Sequence, residues 1–237
     1  MRFTTLLIAF IVSTMPASLF AQQAPQPAPP SIVVTGSAQV EAQPDQATVR
    51  LGVVRQASAA QAAQDQANVA SKEILAVIGK LGIPPQKIQT SRLTLTPNYR
   101  GDPPKIVAYS ASNIIAIELD DLARVGPVID AGLTAGANQL EGVRFRLKND
   151  IAVRERALRD AVMEARRKAE VIAEALGVRL AGVLEVSDSG VFVAERGQGQ
   201  FVARAAGLAA DTPVSPGELD VNANVTVRYR VSEPGKN

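Results

Sequence analysis

Near the C-terminal end of this chain, apolar and polar residues alternate without a break. Leu219, Val221, Ala223, Val225, Val227, Tyr229 and Val231 point one way; Asp220, Asn222, Asn224, Thr226, Arg228 and Arg230 point the other. Strand side chains reverse face at every residue, so this period of two specifies a strand with one dry face and one wet face, as in an antiparallel sheet. Such a strand needs partners along its edges and a cover for its dry face.

Further strands carry the same signature. Ile32, Val34, Ala38, Val40 and Ala42 oppose Ser37, Gln39, Glu41 and Gln43, and Ala47, Val49, Leu51 and Val53 follow the Pro44-Asp45 turn. These two read as a hairpin. Ser58 is placed to cap a helix whose stripe runs through Val69, Ile74, Leu75, Ile78 and Leu81, with Gly82 and Pro84 stopping it. A strand near Ile88 to Thr96 carries Leu93 and Leu95 on one face, a turn-rich stretch spans 97–105, and Val107, Tyr109, Ala111, Ile115, Ile117 and Leu119 form the next strand. Asp120 or Asp121 caps a short helix through Leu122, Val125, Ile129 and Leu133, after which Val143, Phe145 and Leu147 alternate with Arg144, Arg146 and Lys148. The order β-α-β-β-α-β is that of a ferredoxin-like split βαβ unit, covering about 45–148.

The strongest helix follows, about Asp150 to Leu176, closed by Gly177. Ala157, Ala161, Ala165, Ala169 and Ala173 recur every four residues and form one small-residue stripe, flanked by Leu158, Val162, Ile172 and Leu176. A stripe this narrow lets the helix lie close to a sheet or to a neighbouring helix. Ordinary core packing is the first reading of it, and a subunit contact through Ala161, Ala165 and Ala169 the second. Arg154, Glu155, Arg159, Glu164, Arg166, Arg167, Lys168 and Glu170 are expected on a solvated face. Val183, Leu184 and Val186 mark one more strand before a Gly-, Ala- and Arg-rich stretch, 187–216, without periodicity. Its middle, 190–212, reads as a mobile loop in which Phe192 and Phe201, flanked by Arg196 and Arg204, are candidate contacts for a membrane or partner. The expected class is α+β: antiparallel sheets with about three helices in the order β-β-α-β-β-α-β-α-β-β. A long-helix and C-terminal-strand subdomain (149–231) follows the split βαβ unit.

Ahead of the strands, residues 1–21 have the three zones of an export signal. Arg2 is followed by the apolar run Leu6 to Val12 and then by Ser13, Thr14, Pro16 and the small residues Ala17, Ser18 and Ala21. The run is too short to span a bilayer, which takes roughly 20 residues. Residues 22–31, rich in Pro and Gln, read as an extended tether. Cleavage after Ala21 removes one charge, leaving 24 Lys+Arg against 23 Asp+Glu. That near-neutral balance argues against a nucleic-acid partner, which needs a concentrated basic footprint. No later segment of the mature chain is long and apolar enough to be a transmembrane helix.

The zero counts restrict the chemistry. The chain has no Cys, His or Trp. Disulfides, thiol redox chemistry, Cys/His metal centres and His-dependent triads are thereby excluded. No nucleophile elbow, phosphate-cradling loop or cofactor fingerprint is present; Gly197 and Gly199 make only a hinge in a loop. Neither catalytic, cofactor-binding nor metal residues are assigned. Asp120, Asp121 and Asp45 each sit where a cap or turn calls for Asp.

Taken in order, several segments carry a resemblance. They are Ile32-Val33-Val34-Thr35-Gly36, Pro44-Asp45-Gln46-Ala47, Lys87-Ile88-Gln89-Thr90-Ser91 followed by Leu93, Pro97 and Tyr99, and Tyr109-Ser110-Ala111-Ser112-Asn113. The Gly136-Ala137 turn, Ala173-Glu174-Ala175-Leu176-Gly177 and Pro216-Gly217-Glu218 complete the set. With these the chain resembles the SIMPL-domain family over essentially its whole mature length, 32–231. The resemblance implies a soluble periplasmic protein without an established catalytic centre. Family members are associated with protection against oxidative stress, and an immunogenic member with a large channel-like homo-oligomer. With three Met and no Cys or His, this chain is a poor direct scavenger, so protection would have to act through binding or assembly. The leading expectation is a non-enzymatic periplasmic protein that self-assembles or binds envelope components. A carboxylate-based cell-wall or glycan hydrolase, and an outer-membrane-associated binding module using 190–212, are the alternatives.

Overall fold

A strand with one dry face is stable only when that face is covered, and the chain meets the requirement twice. The computed structural model describes residues 28–195 and 212–233. Its elements are β1 (Ser31–Ala42), β2 (Gln46–Ala57), α1 (Ala60–Lys80), β3 (Ile88–Arg100), β4 (Lys105–Leu119), α2 (Val125–Thr134), β5 (Gln139–Arg146), α3 (Ile151–Ala175), β6 (Arg179–Glu195) and β7 (Leu219–Ser232). The order and the α+β class are those expected. The expected export signal (1–21) and most of the expected tether (22–31) lie outside the described residues.

The strands form two antiparallel sheets, β3-β4-β2-β5 and β1-β7-β6. The first is the ferredoxin-like order: β4 lies between the two strands that α1 connects, and α2 leads to β5 on the far edge. Ala47, Val49, Leu51 and Val53 of β2 and Ala111, Ile115 and Ile117 of β4 are buried with Ala63, Ala67, Ile74 and Ile78 of α1 and Val125, Val128 and Ile129 of α2. The buried side of α1 is thus mainly its alanines and isoleucines. Val69 and Leu75, expected on the stripe, point outward.

The second sheet has its own core. Val221, Ala223, Val225 and Val227 of β7, with Ile32, Val34 and Val40 of β1, lie against Ala157, Ala161, Ala165, Ala169 and Ala173, each of these alanines at most 4% exposed. An i, i+4 row slants about 26° to the helix axis, so a stripe with this spacing packs askew, as a twisted sheet requires. Of the flanking residues expected beside the stripe, only Leu158 packs against this core; Val162, Ile172 and Leu176 are exposed. Gly177 (φ 66) ends the helix, with Val178 N–H donating 2.9 Å to Ala173 C=O.

Three expectations are corrected. β1 and β2 are not a hairpin. β1 pairs along its whole length with β7, from Ser31↔Arg230 to Ala42↔Leu219, while β2 pairs with β4 and β5. Three residues across the Pro44 turn carry the chain from one sheet to the other, a switch that local patterning does not distinguish from a tight return. Second, α1 begins without its expected cap: Ala59 occupies that position and no side chain accepts there. Third, 187–195 is strand, because β6 runs to Glu195. Its register against β7 shifts three times, at Leu180/Gly182, Val183/Glu185 and Asp188/Val191. Each bulge sets extra residues against one partner and swaps the faces, which erases the period-two signal.

Candidate functional site

With α1 and α2 covering one face of the four-stranded sheet, the even-numbered residues of β2 face away from the helices. Thr48 and Arg50 of β2 stand there beside Ala116 and Glu118 of β4, Arg144 and Arg146 of β5, and Gln89 of β3. With Gln86 and Lys87 these residues line a shallow depression of about 200 Å³. Four of the nine lining side chains are cationic and one, Glu118, is anionic.

At one end the charges are locked together. Gln46, only 5% exposed, donates from Nε2 to Glu118 Oε1 (2.9 Å) and Asp120 Oδ1 (2.8 Å), and its Oε1 accepts from Arg146 Nε (2.6 Å). Arg146 also pairs with Glu118, and Lys87 with Asp120. Lys148 Nζ adds a contact of 3.1 Å to Asp120. Hydrogen bonds from Lys87, then Gln46 and Lys148, hold the Asp120 carboxyl well below the ordinary carboxylate range. Of the two candidate caps, Asp121 takes the role, accepting from Ala123 N–H at 3.0 Å, while Asp120 is held among these cations. A glycan hydrolase needs a carboxyl whose pKa is raised, and Asp120 is pushed the opposite way. Arg50 and Arg144 at the other end form no ion pair or side-chain hydrogen bond with any described residue.

The other candidate residues fall elsewhere. Ala161, Ala165 and Ala169 are fully buried against the chain's own sheet, so as the molecule stands they present no surface to a second subunit. Phe192 is 60% exposed on β6, in register with Asn222 on the face of the sheet turned away from α3. Arg196, Phe201 and Arg204 lie outside the described residues. Nor is the polar side of α3 simply solvated. Glu164 accepts from Ser37 N–H (2.5 Å), Lys168 donates to Thr35 C=O (2.9 Å) and Arg154 donates to Val191 C=O (2.6 Å), pinning both outer strands to the helix. The bond from Ser37, then that from Lys168, lowers the Glu164 pKa.

A second feature is apolar. β3 is an edge strand of 13 residues, and it continues with β4 past the last residue of β2 that pairs, Ala57↔Tyr109. Leu93, Leu95 and Tyr99 of β3 and Ile106 and Val107 of β4 are 44% to 61% exposed, and Tyr99 and Ile106 are register partners. Sequence patterning placed Leu93 and Leu95 on one face, but it gave no sign that the helices stop short of them.

The architecture is that of an α+β protein with two helix-backed antiparallel sheets. Its uncovered surfaces include a basic depression and an apolar edge on the four-stranded sheet, and the face of the three-stranded sheet that carries Phe192. The SIMPL family model, described as a protein of unknown function (DUF541), matches residues 32–229, and the chain belongs to that family. It is 32% identical over 240 residues to the 26 kDa periplasmic immunogenic protein of Brucella melitensis, covering 97% of this chain and 95% of the relative, and equally so to that of Brucella abortus. It is 26% identical over 188 residues to the uncharacterized protein YggE of Escherichia coli, covering 78% and 76% of the two chains. No helix among the described residues is long and apolar enough to cross a membrane.

Proposed function

We propose that the mature chain works in the periplasm as a non-enzymatic protein that self-assembles through the β3–β4 edge. The observation that carries this reading is the exposed apolar strip Leu93, Leu95 and Tyr99 with Ile106 of β4, on a long edge that no described strand pairs. Natural proteins blunt such edges with charge, Pro or a short strand, and one left long and apolar invites pairing with another chain. The edge also holds Arg92, Pro97 and irregularities at Thr90/Arg92 and Asn98/Tyr99, and Leu93 and Leu95 lie in the regular stretch between them. Export follows from the N-terminal signal and agrees with the names of the Brucella relatives. Protection against oxidative or envelope stress would then be a property of the assembly, through a channel or an outer-membrane contact, rather than of a reactive side chain. Size-exclusion chromatography with light scattering on residues 22–237 tests the reading. A mass that is a multiple of the chain mass supports it; a strict monomer at tens of micromolar contradicts it.

A further inference from the structure

Independently of assembly, we propose that the basic depression on the open face of the four-stranded sheet binds a phosphate-type oxyanion between Arg50 and Arg144. Its lining carries four cations against one carboxylate, a local excess of three positive charges on a mature chain whose net charge is about +1. Glu118 is spent on Arg146 and Gln46, so it neutralises neither of the two remaining guanidinium groups. No described carboxylate pairs with either arginine, and an anion seated between them relieves their mutual repulsion.

The register supplies the geometry. Arg144 lies opposite Thr48 and Arg50 opposite Gly142 across the β2–β5 pair, so the two arginines are diagonal neighbours on one face. Diagonal positions are about 7–8 Å apart at the backbone, within converging reach of two long side chains. Gly142 contributes no side chain between them. Gln89 and Thr48 add an amide and a hydroxyl. A carboxylate offers two oxygens in a plane and is satisfied by one guanidinium fork. A tetrahedral oxyanion offers three or more acceptors and suits two forks with an amide. Among the described residues no aromatic side chain lines the depression, so it offers a base no aromatic platform, and the anion itself is what the site reads.

Pyrophosphate is the probe, titrated calorimetrically into the mature protein at low ionic strength. The expected result is saturable binding that weakens with added salt, loses at least tenfold in affinity in Arg50→Gln/Arg144→Gln, and is unchanged in the control Arg100→Gln/Arg179→Gln. Circular dichroism and the urea midpoint of each variant check that the fold is intact. No saturable heat at millimolar pyrophosphate would overturn the proposal, as would equal losses in both double variants. Citrate binding as tightly as pyrophosphate would overturn the preference for a tetrahedral group. Vesicles of phosphatidylglycerol in phosphatidylcholine distinguish the source. Cosedimentation abolished by Arg50→Gln/Arg144→Gln assigns the site to a lipid headgroup, and pyrophosphate binding without cosedimentation assigns it to a soluble phosphate compound.

Discussion

Gly36 of β1 faces α3 so closely that a Cβ there would collide with the Ala161 carbonyl and come within 2.8 Å of the Ala165 side chain. The obstruction is backbone, which does not rotate aside. Gly36→Ala is therefore expected to destabilise by about 1–3 kcal/mol, the usual cost of overpacking. Gly79, on an open side of α1 with nothing within 4 Å, provides the contrast. There Gly79→Ala should stabilise by about 0.5–1 kcal/mol, the helix-propensity gain. Urea unfolding of the two variants checks both signs. Glu164 holds Ser37 to the same helix, and its pKa is lowered in the folded chain. A carboxyl so shifted contributes stability in full above its unfolded value, about 4.3, and loses it as pH falls through the folded value. The destabilisation caused by Glu164→Gln should thus be largest at pH 7 and shrink below pH 4. A penalty that stays constant with pH would contradict that role.

Among the elements, those whose contacts are local or whose partner is uniform were legible. β7 alternates cleanly because it is the central strand of its sheet, with α3 on one side only. α3 was readable because one face is almost wholly alanine. What failed depends on distant or irregular partners. β1 finds β7 some 190 residues away, so nothing at the Pro44 turn records the change of sheet. β6 hides behind three bulges. The basic depression was half visible: Arg144 and Arg146 read as outward-facing, but the register that sets Arg50 beside them, and the buried Gln46 that ties up Glu118, came only from the fold. At this scale α3 supplies a prediction. Ala165→Leu forces a large side chain where the helix meets the sheet, and should cost more than about 1 kcal/mol and lower the urea midpoint. The same change at Met163, 56% exposed on the opposite side, should stay within about 0.5 kcal/mol.

As a whole, the molecule consists of two helix-backed sheets tied at short crossings. Asp45 accepts from Lys148 N–H (2.6 Å) where both crossings meet, and Thr212, on the segment leading to β7, donates to Asp130 of α2. Each sheet satisfies its own core, so what the molecule leaves for other molecules is on its uncovered surfaces. The apolar β3–β4 edge is the proposed site of self-assembly. Leu95 is 44% exposed on that edge, so Leu95→Lys should leave the stability of the monomer almost unchanged while burying a charge in any edge-to-edge contact. Sedimentation velocity of the wild-type mature chain and Leu95→Lys, at matched micromolar concentrations, tests this most directly. Assembly through β3 predicts a multimer for the wild type and a dissociation constant raised by roughly 30-fold or more in the variant, about 2 kcal/mol at an interface anchor. A wild-type monomer, or a variant that assembles as well as the wild type, would contradict it.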